Sequence, residues 1–513
     1  MKKLLSMILV AIMVTSCFVG CGSKGGGKGG DAKTIEIKYL KLGLGDEWLN
    51  AVIKGFEEKH PEYEVILTSS TSQEAVRTAF GMEDTDTTDL YLDAKVYDTK
   101  YLEPLDDVLN TTIEGESKTI KEKFDTSYLD LEKAADGKYY NLTYGGGMVG
   151  FVYNEKMFKE AGITTLPRTT DELALACETL IGNGNTPFAH FKPVGYWEAY
   201  LPDLFSVQYD GLNYVMNNFY GCTDENGNSP SLDVFTKKDG RYYGIEAFTK
   251  FITPETVLRG SNTYDHVNMQ TKWLQGEAAM MFTGSWVENE MSNTANVENF
   301  SMMKSPVLSA ITDKLSSIKT EGQLRKVITA IDSVSDGQKE VSEYKQGDNY
   351  VIDGLTVSVA DWEYVKAARN TMCANYSLQS AYIPNYSNAK EGAKEFLKYL
   401  YSDEGYKIYT DTLNLIMPLS LSEGEVDTSK WSTFEKSQYD LYQSTEQWAT
   451  EYIAGKHAIF TDGGATRWGS GTTYIDKFCS NNAAERLTAQ AAWDDIVATI
   501  KDNYEKNWLV NMK

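Results

Sequence analysis

The chain has 513 residues, 42% of them hydrophobic and 24% charged, enough for a large buried core spread over more than one lobe. Its formal charge of −24 leaves no basic excess with which to neutralise phosphates, which excludes nucleic acid and a bare anionic membrane as partners.

The first segment, MKKLLSMILVAIMVTSCFVGC, carries Lys2 and Lys3 and then an apolar run, Leu4 to Val14, too short to span a bilayer. It reads as an export signal. Phe18-Val19-Gly20-Cys21 resembles the end of a bacterial lipoprotein signal, as does Val14-Thr15-Ser16-Cys17; the polar tether GSKGGGKGG directly after Cys21 favours Cys21. That resemblance implies a signal over 1–20, lipidation of Cys21, a Gly-rich tether over 21–33 and anchoring by the attached acyl chains.

Beyond the tether, Asp46 stands where it can cap a helix whose Trp48, Leu49, Val52, Ile53 and Phe56 fall at 3.6-residue spacing, and Pro61 ends it. Two strands follow, YEVIL and DLYLD. In YGGGMVGFVYNEKM, Gly145, Gly147 and Gly150 spell G-x-G-x-x-G, but a dinucleotide loop needs its glycines to open a helix. Here they open FVYN, a strand signal. Asp171 lies near where a ribose-binding acid would stand, yet Thr169 and Glu172 form a capping box there. The glycines therefore serve something other than a nucleotide.

The middle block holds an aromatic loop, FKPVGYWEAYLPDLF, a helix around KFITPETVL, and TKWLQGEAAMMFTGSW. Apolar residues at 308, 311, 315, 318, 324, 327, 328 and 331 predict one or two helices. QSAYIPNYS reads as strand and turn, GAKEFLKYLYSDEGYKIY as helices, and Trp493, Ile496, Val497, Ile500 and Tyr504 as a closing amphipathic helix. Strands alternating with helices predict an α/β fold with largely parallel sheets.

The histidines, at 60, 190, 266 and 457, have no metal spacing and no partner serine or cysteine motif. Asp224-x-Asn226-x-Asn228 begins like a calcium loop, but Ser229 and Phe235 stand where Gly and Glu are needed, so it reads as a polar turn. Asp84, Asp86 and Asp89 fail the same test. Neither metal nor cofactor is expected. Cys177, Cys222, Cys373 and Cys479 form no C-x-x-C pair, and Cys177 shares a helical face with Leu173, Leu180 and Ile181, which predicts burial. The 33 Tyr, 10 Trp and 19 Phe instead point to ring stacking, since aromatic faces pack on sugar C–H faces. Tyr196 with Trp197, Trp286 after Gly284-Ser285, and Arg467 with Trp468 are the candidates.

VGFVYNEKMFKEAGITTLPRTTDELALACETL, WLQGEAAMMFTGSWVENEM and GAKEFLKYLYSDEGYKIY resemble successive segments of the extracellular solute-binding proteins of ABC transporters, in the broad family that includes maltose-binding protein. The resemblance implies an α/β, two-lobed periplasmic-binding-protein-like fold of type II, with an interlobe cleft and crossing hinge strands. It places the first hinge at Tyr144 to Gly150, where glycines would permit bending, and a second crossing near Pro306 to Thr356. Lobe 1 is then expected over 34–143 plus about 304–412, and lobe 2 over 144–303 plus about 413–513. Trp286 matches the family's "G-x-W" motif; Asp46, Glu47, Asp93, Tyr196, Trp197, Arg467 and Trp468 follow by position. The implied protein is a non-catalytic monomer on the outer face of the cell membrane that passes a carbohydrate to permease subunits. A surface glycoside hydrolase, needing two carboxylates across the cleft, and a binder of a non-sugar solute are the alternatives.

Overall fold

A computed structural model describes residues 33–134, 136–145, 147–190, 196–294, 300–374, 379–450, 474–480, 482–504 and 506. Cys17, Cys21, the rest of the expected tether up to residue 32, Arg467 and Trp468 lie outside the described residues, while Lys33 already opens the first strand. The strands, in chain order, are β1 (Lys33–Leu40), β2 (Tyr63–Ser70), β3 (Leu90–Asp93), β4 (Leu142–Thr143), β5 (Met148–Asn154), β6 (Phe188–Ala189), β7 (Met280–Gly284), β8 (Phe300–Met303), β9 (Lys345–Gln346), β10 (Asn349–Ile352), β11 (Leu355–Ser358), β12 (Thr371–Ala374), β13 (Ser380–Tyr382) and β14 (Gln447–Thr450).

They form two large sheets and one small one. The first has the order β2-β1-β3-β13-β4; the second runs β14-β12-β5-β7-β6, with β8 also on β5. Both are mixed rather than largely parallel: β1 is parallel to β2 and β3, while β13 is antiparallel to β3 and β4. In the second sheet β5 runs antiparallel to β7, β8 and β12. Antiparallel members enter wherever the chain passes between sheets, because a strand arriving from the other lobe meets its neighbours head-on.

The predicted helix after Asp46 is Glu47–Lys59, and Trp48, Leu49, Val52, Ile53 and Phe56 are its buried residues. It packs under the first sheet against helix Asp403–Leu413. Thr169 caps helix Thr170–Gly182 through the Glu172 amide, but the Glu172 carboxylate turns to Arg168 instead of closing a box. Leu173, Cys177 and Leu180 are buried there, whereas Ile181 is exposed; burial pushes the Cys177 thiol up. Asp224 folds as the predicted polar turn, accepting from the Asn226 and Asn228 amides.

The predicted apolar positions from 308 to 331 are all buried: Ile311 in a short 3-10 turn, Ser309–Asp313, residues 324, 327, 328 and 331 on helix Glu321–Ser335, and Leu308, Leu315 and Ile318 in the segments beside them. Their core, however, is that of the second sheet, which they share with Val149, Phe151 and Phe282. β12 lies in that sheet as well. β12 ends at Ala374 in the second sheet and β13 begins at Ser380 in the first, so the described residues 304–374 lie with the second sheet, and the return does not fall near Pro306 to Thr356 as expected. β9, β10 and β11 form an antiparallel sheet within this region, where Tyr350 stacks on Trp362 with ring centroids 4.4 Å apart. After helix Asp403–Leu413 the chain stays with the first lobe, Phe124 bridging to Leu419, and reaches the second at helix Thr433–Ser444, which covers β8.

Candidate functional site

The crossings define where the lobes face each other. Thr143, at the end of β4, pairs with Ser380 at the start of β13, and Ser380 pairs with Asp93 at the end of β3. Since β1 and β2 run parallel to β3, the carboxyl ends of all three lie at the crossing. In the second sheet Met148 pairs with Ala374 and Val149 with Gly284, so β7 and β12 also end there, together with β6 and β14, which run parallel to them. The carboxyl ends of two sets of strands thus open onto one cleft, the position at which α/β sheets hold ligands. Two of the crossing segments touch: Gln379 O accepts from Tyr144 N at 3.0 Å and from Thr143 Oγ1 at 2.9 Å. A Cβ on Gly145 would stand 1.9 Å from Gln379 Oε1, so a glycine is what lets these segments pass.

On the first wall, Asp93 is fully buried and bonded by Arg77, which also donates to Ala94 O, and by Tyr382 OH at 3.2 Å. Its Oδ1 has no protein partner. Asp46 stands at the head of helix Glu47–Lys59 without capping it; its carboxylate accepts from Lys41 Nζ at 2.8 Å and Ser69 Oγ at 3.3 Å. The Lys41 bond holds that carboxyl below the usual range. Glu47 is exposed beside it. Tyr144 stacks on Trp48 at 5.7 Å, anchoring the first crossing in the lobe 1 core.

On the second wall, Gly284 and Ser285 turn the chain so that Trp286 folds back over Gly284, where a Cβ would sit 2.1 Å from its ring. Trp286 is half-buried and meets the first wall, since a Cβ on Gly43 would lie 3.3 Å from its own. Next to it a small cavity of about 20 Å³ lies between Asn414–Ile416 and helix Thr433–Ser444. Trp431, Tyr439, Tyr442 and Trp448 line it, with Met148 and Ser285 at the hinge and Glu435 and Gln438 as its carboxylate and amide. Trp431 meets Tyr439 edge-on at 5.9 Å, and Tyr442 lies 5.8 Å from Trp448, whose indole N–H donates to Asp125 of the first lobe at 3.2 Å.

The carboxylates here are held against their charge. Glu435 accepts from Ser432 N at 2.6 Å, yet burial pushes its carboxyl up. Burial, reinforced by Glu435, raises Glu288 to about 7, although Ser432 Oγ donates to it at 2.7 Å. Gln438 is 4% exposed and its Oε1 has no partner. Flat apolar faces interleaved with hydrogen-bond acceptors suit a ring that carries hydroxyls on its edge. Among the described residues no group of three His, Cys, Asp or Glu converges as metal ligands would.

The cleft thus brings together Asp46, Glu47, Asp93 and Trp286. Tyr196 and Trp197 open helix Tyr196–Asp210 rather than sitting in a loop, close in sequence to the carboxyl end of β6. Sequence reasoning missed the pocket of helix Thr433–Ser444: Trp431, Glu435, Gln438, Tyr439, Tyr442 and Trp448. The signal was there as aromatics at 439 and 442, i and i+3 on one face of a helix whose other apolar residues are Phe434 and Leu441.

The profile of the family described as bacterial extracellular solute-binding proteins matches residues 43–407. Several solved structures share the fold. A chitin oligosaccharide binding protein superposes with a TM-score of 0.58 at 17% identity, covering 92% of this chain and 99% of its own. RafE from Streptococcus pneumoniae, in its apo form, gives 0.60 at 13% identity, over 93% and 99%. A manno-oligosaccharide specific solute binding protein from Bifidobacterium animalis subsp. lactis, with mannotriose bound, gives 0.57 at 16% identity, over 93% and 95%. At these identities the likeness is one of fold.

Proposed function

This chain belongs to the bacterial extracellular solute-binding proteins, and from that premise we propose that it captures a carbohydrate between its lobes and hands it to the permease of an ABC importer. The observation that carries the carbohydrate reading is the aromatic pocket beside Trp286, where Trp431, Tyr439, Tyr442 and Trp448 surround the acceptors of Glu435 and Gln438. The names of the structural relatives, which bind chitin oligosaccharides and manno-oligosaccharides, support the same class. Asp46, Glu47 and Asp93 would hold hydroxyls from the first wall, and Trp286 would stack on a ring from the second. Tyr196, Trp197, Arg467 and Trp468 would complete the cleft. Bending at the three crossings would let the lobes close on the solute as a monomer.

The matched family is one of binding proteins, so the reading is of capture without chemistry. A thermal-shift screen over oligosaccharides tests it, because a ligand at 100 times its dissociation constant adds about 2.7 kcal/mol of stability. The sugar should be recovered intact; shorter products would support a hydrolase. The proposed anchor at Cys21 is tested separately: Cys21→Ser should release the protein from membranes, and retained lipid labelling would move the site to Cys17.

A further inference from the structure

A second and larger cavity, of about 430 Å³, lies in the second lobe beyond β6. Phe188 of β6 takes a further parallel neighbour, its N–H donating to Thr256 O at 2.8 Å and its carbonyl accepting from Leu258 N at 2.7 Å. The sheet therefore runs on past β6. Because β6 and β7 are parallel, His190 and residues 258–261 leave these strands at their carboxyl ends, the end at which Trp286 follows β7. With neighbouring strands about 4.8 Å apart, the cavity stands roughly 10 Å across the sheet from β7, within reach of an oligosaccharide lying on Trp286.

Its lining joins Arg259, directly after that added segment, to Lys477 on helix Tyr474–Phe478, whose Nζ lies 5.4 Å from the centre of the Tyr474 ring. Among the described residues neither cation forms an ion pair. The hydroxyls of the lining are engaged elsewhere: Ser261 Oγ donates to Leu258 O at 2.6 Å and Ser480 Oγ to Glu485 at 3.1 Å. Glu485, the carboxylate among the described lining residues, is held by that bond and by Asn482 Nδ2 at 2.9 Å. What the cavity offers a solute is thus the N–H groups of two cations. Two cations against one carboxylate, with His190 counted as neutral, leave a single positive charge in a chain whose formal charge is −24. A neutral hydroxyl would leave that charge uncompensated, and a phosphate monoester, carrying close to two negative charges, would exceed it. A carboxylate matches both the charge and the planar fork of an arginine. We propose that this cavity seats the carboxylate of a uronic acid residue in the bound oligosaccharide, paired with Arg259 and Lys477. The inference rests on the carbohydrate reading of the cleft and adds the charge of the solute.

Calorimetric titration of the full chain tests this with two acidic sugars, digalacturonate and xylotriose carrying a glucuronic acid branch, each against its neutral form, the methyl ester and plain xylotriose. At least one acid should bind roughly tenfold or more tightly than its neutral form, as hydrogen bonds between charged partners warrant. Arg259 is exposed and Lys477 half-buried, so Arg259→Gln and Lys477→Met should fold, and each should bring that ratio toward one. Glu485→Gln, which keeps an acceptor for its own loop, should raise it. Acids bound no more tightly than their neutral forms, or a ratio unmoved by Arg259→Gln and Lys477→Met, overturn the proposal and leave the carbohydrate reading standing. Thermal protection by a neutral oligosaccharide and by neither acid does the same. Protection by galactose 6-sulfate alone among the acidic probes would assign the cation pair to a sulfate ester and overturn the carboxylate. Protection by no sugar, acidic or neutral, would count against both readings.

Discussion

The first wall of the cleft pairs its carboxylates with cations, Arg77 on Asp93 and Lys41 on Asp46, and leaves Asp93 Oδ1 open, whereas the second holds Glu435 and Glu288 through Ser432, with burial raising both, and leaves Gln438 Oε1 without a donor. The first is backed by the Trp48–Tyr144 stack and by backbone bonds to the crossing, so it is a fixed floor. The second is made of Tyr439 and Tyr442 on one helix, Trp431 before it, Trp448 on β14 and the tight turn at Trp286. Selectivity follows from this asymmetry: groups already paired add little discrimination, while buried groups awaiting a partner reject any solute that cannot supply one.

The largest effect should come from breaking the first wall. Arg77→Met leaves the buried Asp93 without its cation, and losses from such removals run at about 3 to 5 kcal/mol. Because Arg77 keeps 29% of its side chain exposed, the lower end applies, read as a reduced denaturation midpoint. A variant as stable as the wild type would show that the Asp93 pair is not what fixes this wall.

On the second wall the effect should appear in affinity. Trp286→Ala should weaken sugar binding by about 1 to 3 kcal/mol, by analogy with base stacking on aromatic rings, with little change in the melting temperature of the free protein. A large loss of stability with undiminished affinity would return Trp286 to the core.

The smallest effect concerns pH. Glu288 is raised from 4.5 to about 7, so the folded protein holds a proton that the unfolded chain releases. Stability from this group is therefore present at low pH, declines between about pH 4.5 and 7, and is flat above. The groups that face Glu288 are Ser432 and Glu435 on the neighbouring helix. Glu288→Gln should remove the slope from a plot of melting temperature against pH; an unchanged slope would assign it to other carboxyls.

The same asymmetry explains what the sequence made legible. Residues 308–331 show that an apolar face is buried, and all the positions named are; periodicity does not say against which sheet, and 304–374 went to the other lobe. Asp93 and Trp286 could be placed at the cleft from sequence because one ends a strand and the other follows a strand within two residues, positions visible in a short apolar run followed by small or polar residues. Gln438 and Glu435 were not, because on an amphipathic helix a buried polar group looks like any solvent-facing one until the neighbouring helix and the Asn414–Ile416 segment are in place. Trp431 and Trp448 lie 17 residues apart in sequence and line one pocket only in the folded chain. The G-x-G-x-x-G stretch was legible in what it excludes, and Gly145 needs its small size to pass Gln379.

The claim that the second wall selects the solute is tested most directly by titrating the wild type and Tyr439→Ala with the tightest sugar from the thermal-shift screen. Tyr439 is half-buried and lines the pocket, so its loss should cost tenfold or more in affinity, roughly 1.4 kcal/mol or above, while both proteins melt within a degree or two of each other. Equal affinity for wild type and variant would contradict the account and move recognition out of this pocket.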